Sequence, residues 1–234
     1  VRANGKAISQ PGFATAAWHR ITVPNTVVGA LVENGHLPDP YFGMNLRQLP
    51  GTTYPIGERF TLLPMPADSP YKPSWWYRRE FDLPALSTGE RVALHFNGIN
   101  YRANIWVNGT LVDDAKDVAG AFRRYEYDIT RLARTGGNAV AVEVFAPEPH
   151  DLAFMWVDWN PTPPDKNMGL WGDVYLTRSG PIALRYPHVQ PTLDVPGLDR
   201  AELTITAELW NGTDAPISAT LRGTVESIEF SRDV

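Results

Sequence analysis

The chain has 234 residues, of which 43% are hydrophobic and 20% are charged, a composition typical of globular domains. No apolar run reaches the roughly 18 residues that a membrane-spanning helix needs. The net charge of −5 argues against nucleic acid or an anionic membrane surface as a partner. The absence of cysteine excludes disulfides, zinc–thiolate sites and a thiol nucleophile.

The first predicted element is a helix of two or three turns within residues 24–35. Asn25 and Thr26 offer N-caps, and Gly35 offers a terminator. The apolar positions follow helical spacing: Val27, Val28, Leu31 and Val32. Residues 37–74 then contain eight prolines and no clean periodicity. A loop of that length inside a compact domain is usually functional or a structured lid.

Alternation of apolar and polar residues at period two predicts the next elements, which are half-buried strands. They cover residues 76–83, 92–96, 101–107, 125–129 and 140–144. Because neighbours on a strand point to opposite faces, at least one of Trp75 and Trp76 is expected in the core. Asn108-Gly109 supplies the positive φ angles of a type I′ hairpin turn. Closely spaced strands with such turns favour an all-β, antiparallel sandwich or jelly roll.

The character of the sequence changes near residue 180, which predicts a first domain over 1–180 and a second over 181–234. Alternating apolar residues near position 205 are typical of the start of another β-sandwich. An immunoglobulin-like sandwich needs roughly 100 residues, so we expect the second domain to be incomplete. A severed sandwich exposes strand edges and an apolar face. We therefore predict that residues 185–234 pair with another copy of the chain or with a neighbouring molecule.

No catalytic or metal-binding pattern stands out. The five histidines are far apart in the chain and form no HxxxH or HxH pair, so we expect no metal site. There is no GxSxG motif, no P-loop, and no spacing that singles out a pair of carboxylates. We expect the chain to have no catalytic residues and no cofactor of its own. Asn108-Gly109-Thr110 and Asn211-Gly212-Thr213 fit the glycosylation pattern, but turn chemistry explains both better.

The segment 156–174 is the richest in chemistry, with three tryptophans, three aspartates and three prolines. Indole rings bind the C–H faces of sugars, and aspartate or asparagine side chains bind the hydroxyl groups. The prolines would hold such a loop in place before a ligand arrives, which lowers the entropic cost of binding. The alternative is a stiff loop whose tryptophans only close the end of the sandwich. Composition alone leaves both interpretations open.

Five motifs together resemble the amino-terminal part of glycoside hydrolase family 2, in the branch of exo-β-D-glucosaminidase and glycoprotein endo-β-mannosidase. They are VPNT before the helix, PDPYFGMN, WWYRREFDL, HFNGINYRANIWVNG and VDWNPTPPDKNMGLWGDV. The resemblance implies a galactose-binding-like jelly roll followed by the truncated start of an immunoglobulin-like β-sandwich. It also implies that a (β/α)8 barrel with two catalytic glutamates lies outside this chain. A retaining mechanism and a secreted or periplasmic location are implied in the same way.

The resemblance further implies that a loop of the jelly roll shapes the subsite for the terminal sugar. Related β-mannosidases use a Trp-Asp pair for this contact, and the order here, Trp156-Val157-Asp158-Trp159, matches inexactly. Asp158 is the leading candidate for contact with a sugar hydroxyl or amine, and Trp159 is the candidate wall of the subsite. A second candidate region is the proline-flanked stretch 38–45, which has a similar make-up. Weaker candidates are Asp39 and Asn45 in that stretch and Asn160 and Asp165 in the segment 156–174.

The expected ligand is therefore a carbohydrate, as an oligosaccharide or a polysaccharide such as chitosan, or a mannoside. The leading hypothesis is the amino-terminal, non-catalytic part of a glycosidase that acts on β-linked glucosamine or mannose. One alternative is a free-standing carbohydrate-binding module with a complete site of its own. The other is a structural β-sandwich without a sugar site, in which the aromatic and acidic residues would be buried apart from one another.

Overall fold

The computed structural model describes residues 4–52, 54, 63–154 and 161–234. The chain divides into two compact units, one of Val1–Leu86 with Val92–Thr177, the other of Ser87–Arg91 with Arg178–Val234. The three helices are α1 (Gly5–Ile8), α2 (Val27–Glu33) and α3 (Asn45–Gln48) among the described residues. The strands there are β1 (Asn25–Thr26), β2 (Trp75–Leu83), β3 (Arg91–Phe96), β4 (Arg102–Val107), β5 (Thr110–Asp113), β6 (Tyr125–Asp128), β7 (Gly136–Phe145), β8 (Gly169–Leu170), β9 (Val174–Ser179), β10 (Ile182–Leu193), β11 (Ala201–Asn211), β12 (Thr220–Val225) and β13 (Ile228–Asp233).

The two larger sheets of the first unit confirm the all-β prediction. One has the strand order β2-β7-β4-β5, and the other has the order β6-β3-β9. Alternate residues of both sheets belong to one apolar cluster, in which Phe96, Ile105 and Val144 have no exposed surface. Full burial of such a side chain stabilises the fold by about 1.5–3 kcal/mol. Trp75 packs against this cluster, as expected of one of the two neighbouring tryptophans.

The predicted helix is present and, with seven residues, has about two turns. It occupies α2, because the Thr26 side chain accepts the amide hydrogen of Gly29 and fixes Thr26 as the N-cap. Residues 25–26 instead form β1, which pairs with β8. Gly35 has a φ of 69° just beyond the helix, as a terminating glycine should.

The predicted hairpin joins β4 and β5. Asn108 and Gly109 have φ angles of 50° and 86°, so both central residues of the turn lie in the left-handed region. The Asn108 side chain is buried, and its amide donates to the carbonyl oxygen of Leu132 and to the side chain of Asn138. This position therefore serves turn geometry, as the sequence indicates.

The second unit contains two antiparallel hairpins, β10–β11 and β12–β13. The alternating residues of β10 and β11 face the same side, since Leu184 lies opposite Leu209 and Val189 lies opposite Ile205. All four side chains are exposed. No helix among the described residues has both the length and the hydrophobicity to cross a membrane.

Candidate functional site

The loop 39–45, here called the aromatic loop, connects α2 to α3. The Asp39 carboxylate accepts the amide hydrogen of Tyr41 at 2.9 Å, and the Asn45 side-chain amide donates to the Asp39 carbonyl oxygen at 2.9 Å. These bonds fix the loop from within. Its apolar side chains point outward: Tyr41, Phe42 and Met44 are 96%, 75% and 59% exposed. The loop thus presents two rings and a carboxylate at the surface.

Asp165 belongs to the second candidate region but lies in the interior, with 0% of its surface exposed. Its carboxylate accepts the amide hydrogen of Val28 at 2.7 Å and that of Asn167 at 2.9 Å. Burial raises the pKa of Asp165 to about 6, and these donors, together with the Thr26 hydroxyl, act in the opposite direction. A buried and bonded carboxylate cannot reach a sugar, so the expected sugar contact of Asp165 is replaced by a positioning role.

Besides burial, the negative charge of Asp165 raises the pKa of three nearby tyrosines, which are Tyr54, Tyr71 and Tyr77. Burial raises the pKa of Tyr54 to about 12. Burial, and after it the charge of Asp165, raises the pKa of Tyr71 to about 12. The pKa of Tyr77 is also raised, for the same two reasons. All three phenols therefore stay protonated at neutral pH and can act as hydrogen-bond donors.

Two side chains fasten the proline-rich segment 161–166 to the preceding long loop. The Tyr54 hydroxyl donates to the Thr162 carbonyl oxygen at 2.8 Å, and the Lys166 ammonium donates to the Leu63 carbonyl oxygen at 2.7 Å. Arg47 of α3 lies over the Tyr54 ring, 5.7 Å from its centroid. Tyr54 therefore links α3, which follows the aromatic loop in the chain, to the segment 161–166.

The three remaining candidates, Asp158, Trp159 and Asn160, lie outside the described residues. Asp165 anchors the chain that follows them. On the other flank, Phe154 belongs to an aromatic cluster with Phe122 and Trp171, whose centroids are 5.1–5.4 Å apart in edge-to-face contact. Both flanks of the segment 155–160 are thus held by the first unit.

The cluster of Phe122, Phe154 and Trp171 was missed by sequence reasoning. Phe122 is 69% exposed, and the Trp171 indole donates to the Ala121 carbonyl oxygen at 2.8 Å. Phe122 and Phe154 fall outside the alternating strands, so no periodic signal marks them. Only their ring contacts with Trp171, visible in three dimensions, connect them to the candidate segment 156–174.

A large hollow of about 1570 Å³ opens elsewhere in the first unit, between β2 and β9. Core residues such as Phe96 and Val142 form much of its wall. Charged and polar side chains also line it, among them His19, Arg20, Arg78 and Glu80. We favour the aromatic loop as the binding surface because it contains the candidates Asp39 and Asn45. No cluster of three or more histidines and carboxylates suited to a metal occurs among the described residues.

Chemically, this arrangement suits binding. The rings of the aromatic loop can cover the C–H face of a sugar, while Asp39 can accept a hydroxyl hydrogen or offset an ammonium charge.

Residues 69–153 match the family model described as "Glycosyl hydrolase 2 galactose-binding domain-like". The first unit therefore contains a galactose-binding-like domain of glycoside hydrolase family 2.

Comparison with individual proteins specifies the relationship. The exo-β-D-glucosaminidase of Streptomyces avermitilis is 37% identical over 229 residues, which cover 97% of this chain and 23% of that enzyme. The mannosylglycoprotein endo-β-mannosidase of Lilium longiflorum is 30% identical over 242 residues, covering 92% of this chain and 23% of the relative. The crystal structure of the Amycolatopsis orientalis exo-chitosanase CsxA superposes with a TM-score of 0.84 at 36% identity, covering 98% of this chain and 25% of that one.

The chain belongs to glycoside hydrolase family 2 and corresponds to its amino-terminal region. It spans about a quarter of the length of these relatives. The resemblance inferred from the sequence is confirmed, and so is the galactose-binding-like, all-β fold.

Proposed function

We propose that this chain forms one wall of the sugar subsite in an exo-acting glycosidase that releases β-linked glucosamine. The 37% identity to an exo-β-D-glucosaminidase, sustained over 97% of the chain, carries this proposal. A related enzyme, exo-chitosanase CsxA, has been crystallised with PNP-β-D-glucosamine. The ligand class for this chain is accordingly a chitosan-like oligosaccharide.

The aromatic loop supports the proposal physically. Tyr41 and Phe42 are exposed although the loop is rigidly hydrogen-bonded, which means that little order must be gained when a ligand arrives. Asp39 lies at the base of the same loop, where its carboxylate can pair with the ammonium group of glucosamine. A mannoside lacks that ammonium group, so this charge favours glucosamine over mannose.

The catalytic glutamates are assigned to the part of the protein that this chain does not include, in a (β/α)8 barrel. In that arrangement the aromatic loop and the segment anchored by Asp165 face the mouth of the barrel. The chain then contributes affinity and orientation rather than acid–base chemistry. A free-standing binding module is the second candidate, and it requires that the 234 residues alone hold a complete site.

Titration of the 234-residue protein with glucosamine, chitobiose and mannose separates these candidates. Weak or absent binding by the chain alone supports a subsite completed by the barrel, whereas micromolar binding of chitobiose supports the module. Turnover of an aryl β-D-glucosaminide by the purified chain would overturn the assignment of catalysis to another domain.

A chimera tests the substrate. Residues 1–234 replace the matching region of the Amycolatopsis orientalis exo-chitosanase, and kcat/KM is measured for aryl β-D-glucosaminide and aryl β-D-mannoside. We expect the chimera to hydrolyse the glucosaminide, and D39N in the chimera to raise KM for it. A chimera that prefers the mannoside would refute the glucosamine assignment while leaving the subsite role intact.

A further inference from the structure

Two histidines that are far apart in the chain meet at the surface of the first unit. The His36 Nε2 atom lies 3.1 Å from the His19 Nδ1 atom, and the ring centroids are 4.4 Å apart. Both residues are exposed. The sequence predicted no metal site because no histidine motif with short spacing occurs, but the fold creates a pair across 17 positions.

The distance between these nitrogens is that of two neighbouring ligands on one metal ion. Zinc-to-imidazole bonds are about 2.0–2.1 Å, so nitrogens 3.1 Å apart subtend roughly 95–102° at a shared ion. That angle lies between the values for square-planar and tetrahedral coordination. Without an ion, one ring must donate its hydrogen to the other, and such a bond at an exposed site contributes little net stability.

The two segments that hold these histidines are tied together independently of the rings. The Asn34 side-chain amide donates to the Arg20 carbonyl oxygen at 2.8 Å, next to His19 in the chain. The Glu33 carboxylate accepts the side-chain amide of Asn25 at 2.8 Å. The His36 amide donates to the Leu31 carbonyl oxygen at 2.9 Å, which fixes the turn after α2. The imidazoles are thus preorganised, so that binding an ion costs little order.

We propose that His19 and His36 chelate a divalent transition-metal ion. Imidazole suits copper, nickel and zinc, and the usual order of affinities favours Cu²⁺ among them. No third histidine or carboxylate completes a cluster among the described residues, so water fills the other positions. The ion joins the segment before β1 to the turn after α2, and His36 lies three residues before Asp39 of the aromatic loop.

The test uses the 234-residue protein after treatment with a chelator. Calorimetric titration with CuCl₂ should give one equivalent of tight binding, and electron paramagnetic resonance should show coupling to two imidazole nitrogens. Either H19N or H36N should weaken this binding by about tenfold or more. The matched control is H150N, because His150 is likewise exposed but belongs to no such pair in the described structure.

Thermal unfolding supplies a second measurement. Excess ZnCl₂ should raise the Tm of the wild type and of H150N, since a ligand that binds only the folded state stabilises it. It should leave the Tm of H19N and H36N unchanged, while circular dichroism shows that both variants are folded. Equal copper affinity in wild type, H19N and H36N, or a single-nitrogen spectrum in the wild type, would overturn the proposal.

Discussion

The carboxylate of Asp165 and the backbone amide of Val28 form a 2.7 Å hydrogen bond although 137 positions separate them in the chain. Val28 lies in the first turn of α2, where an amide hydrogen has no partner within the helix. The bond therefore attaches the proline-rich segment to the element that leads into the aromatic loop.

Removing the carboxylate should destabilise the first unit. In D165A, the amide hydrogens of Val28 and Asn167 lose their acceptor in a buried place. Each unsatisfied buried group costs about 1–3 kcal/mol, so we expect the loss of both bonds to lower the free energy of unfolding by about 2–6 kcal/mol. Urea denaturation measures it. D68A is the control, because Asp68 is exposed and its replacement should change stability by less than about 0.5 kcal/mol.

Asp165 should also make stability depend on pH. Its pKa rises from the ordinary value of 3.8 to about 6 in the folded state because burial disfavours the charged form. The stability that protonated Asp165 contributes to the folded state is fully present below pH 3.8 and is lost as the pH rises through 6. This rise in the pKa of Asp165 corresponds to about 3 kcal/mol in the free energy of unfolding.

The measurement compares wild type with D165N, an uncharged variant, by urea denaturation at pH 4, 5, 6 and 7. As the pH rises, D165N should become more stable relative to the wild type. Groups elsewhere cancel in this difference. A constant difference across the range would show that Asp165 does not change its charge there.

How much of this site could be read from the sequence depends on the range of the interactions. The strands, the turn at Asn108-Gly109 and the cap at Thr26 rest on neighbours in the chain, and all are confirmed. Asp165 bonds to a partner 137 positions away, and His19 meets His36 only because the fold brings two loops together. Local composition could place Asp165 in a functional region but could not distinguish a buried anchor from a surface contact.

The aromatic loop should contribute to binding and not to stability. Tyr41 and Phe42 are largely exposed, so the double replacement Y41S/F42S should alter the free energy of unfolding by no more than about 0.5 kcal/mol. In the chimera with the exo-chitosanase it should weaken binding of an aryl β-D-glucosaminide by about 1 kcal/mol or more. Tyr71 is the contrasting tyrosine: it is 1% exposed, and Y71A should cost about 3–5 kcal/mol of stability. An unchanged KM in Y41S/F42S would remove the aromatic loop from the subsite.

Asn108 combines two physical effects that a pair of substitutions can separate. Its side chain donates to Leu132 and Asn138 and accepts the amide hydrogen of Ala139, and its φ angle is 50°. N108G loses the hydrogen bonds, but glycine adopts the positive φ angle without strain. N108A loses the same hydrogen bonds and also holds a residue with a β-carbon at that angle. We expect N108A to be the less stable by about 1–2 kcal/mol, the cost of a left-handed conformation for a residue with a β-carbon. Thermal and urea denaturation of the two variants would show equal stabilities if the turn could relax.

The apolar face of β10 and β11 should cause the purified chain to associate. Leu184, Val189, Ile205 and Leu209 lie on one side of this hairpin and are 54%, 48%, 37% and 40% exposed. Apolar surface of this kind is stabilised by removal from water, at about 25 cal/mol per Å². Sedimentation velocity should therefore show a fraction of oligomer that increases with protein concentration.

The variant I205E places a charge on this face and should shift the chain toward monomer. E208Q lies on the opposite face and should not, because a strand alternates its side chains. A wild type that stays monomeric at millimolar concentration would contradict the expected pairing of this unit with a second copy.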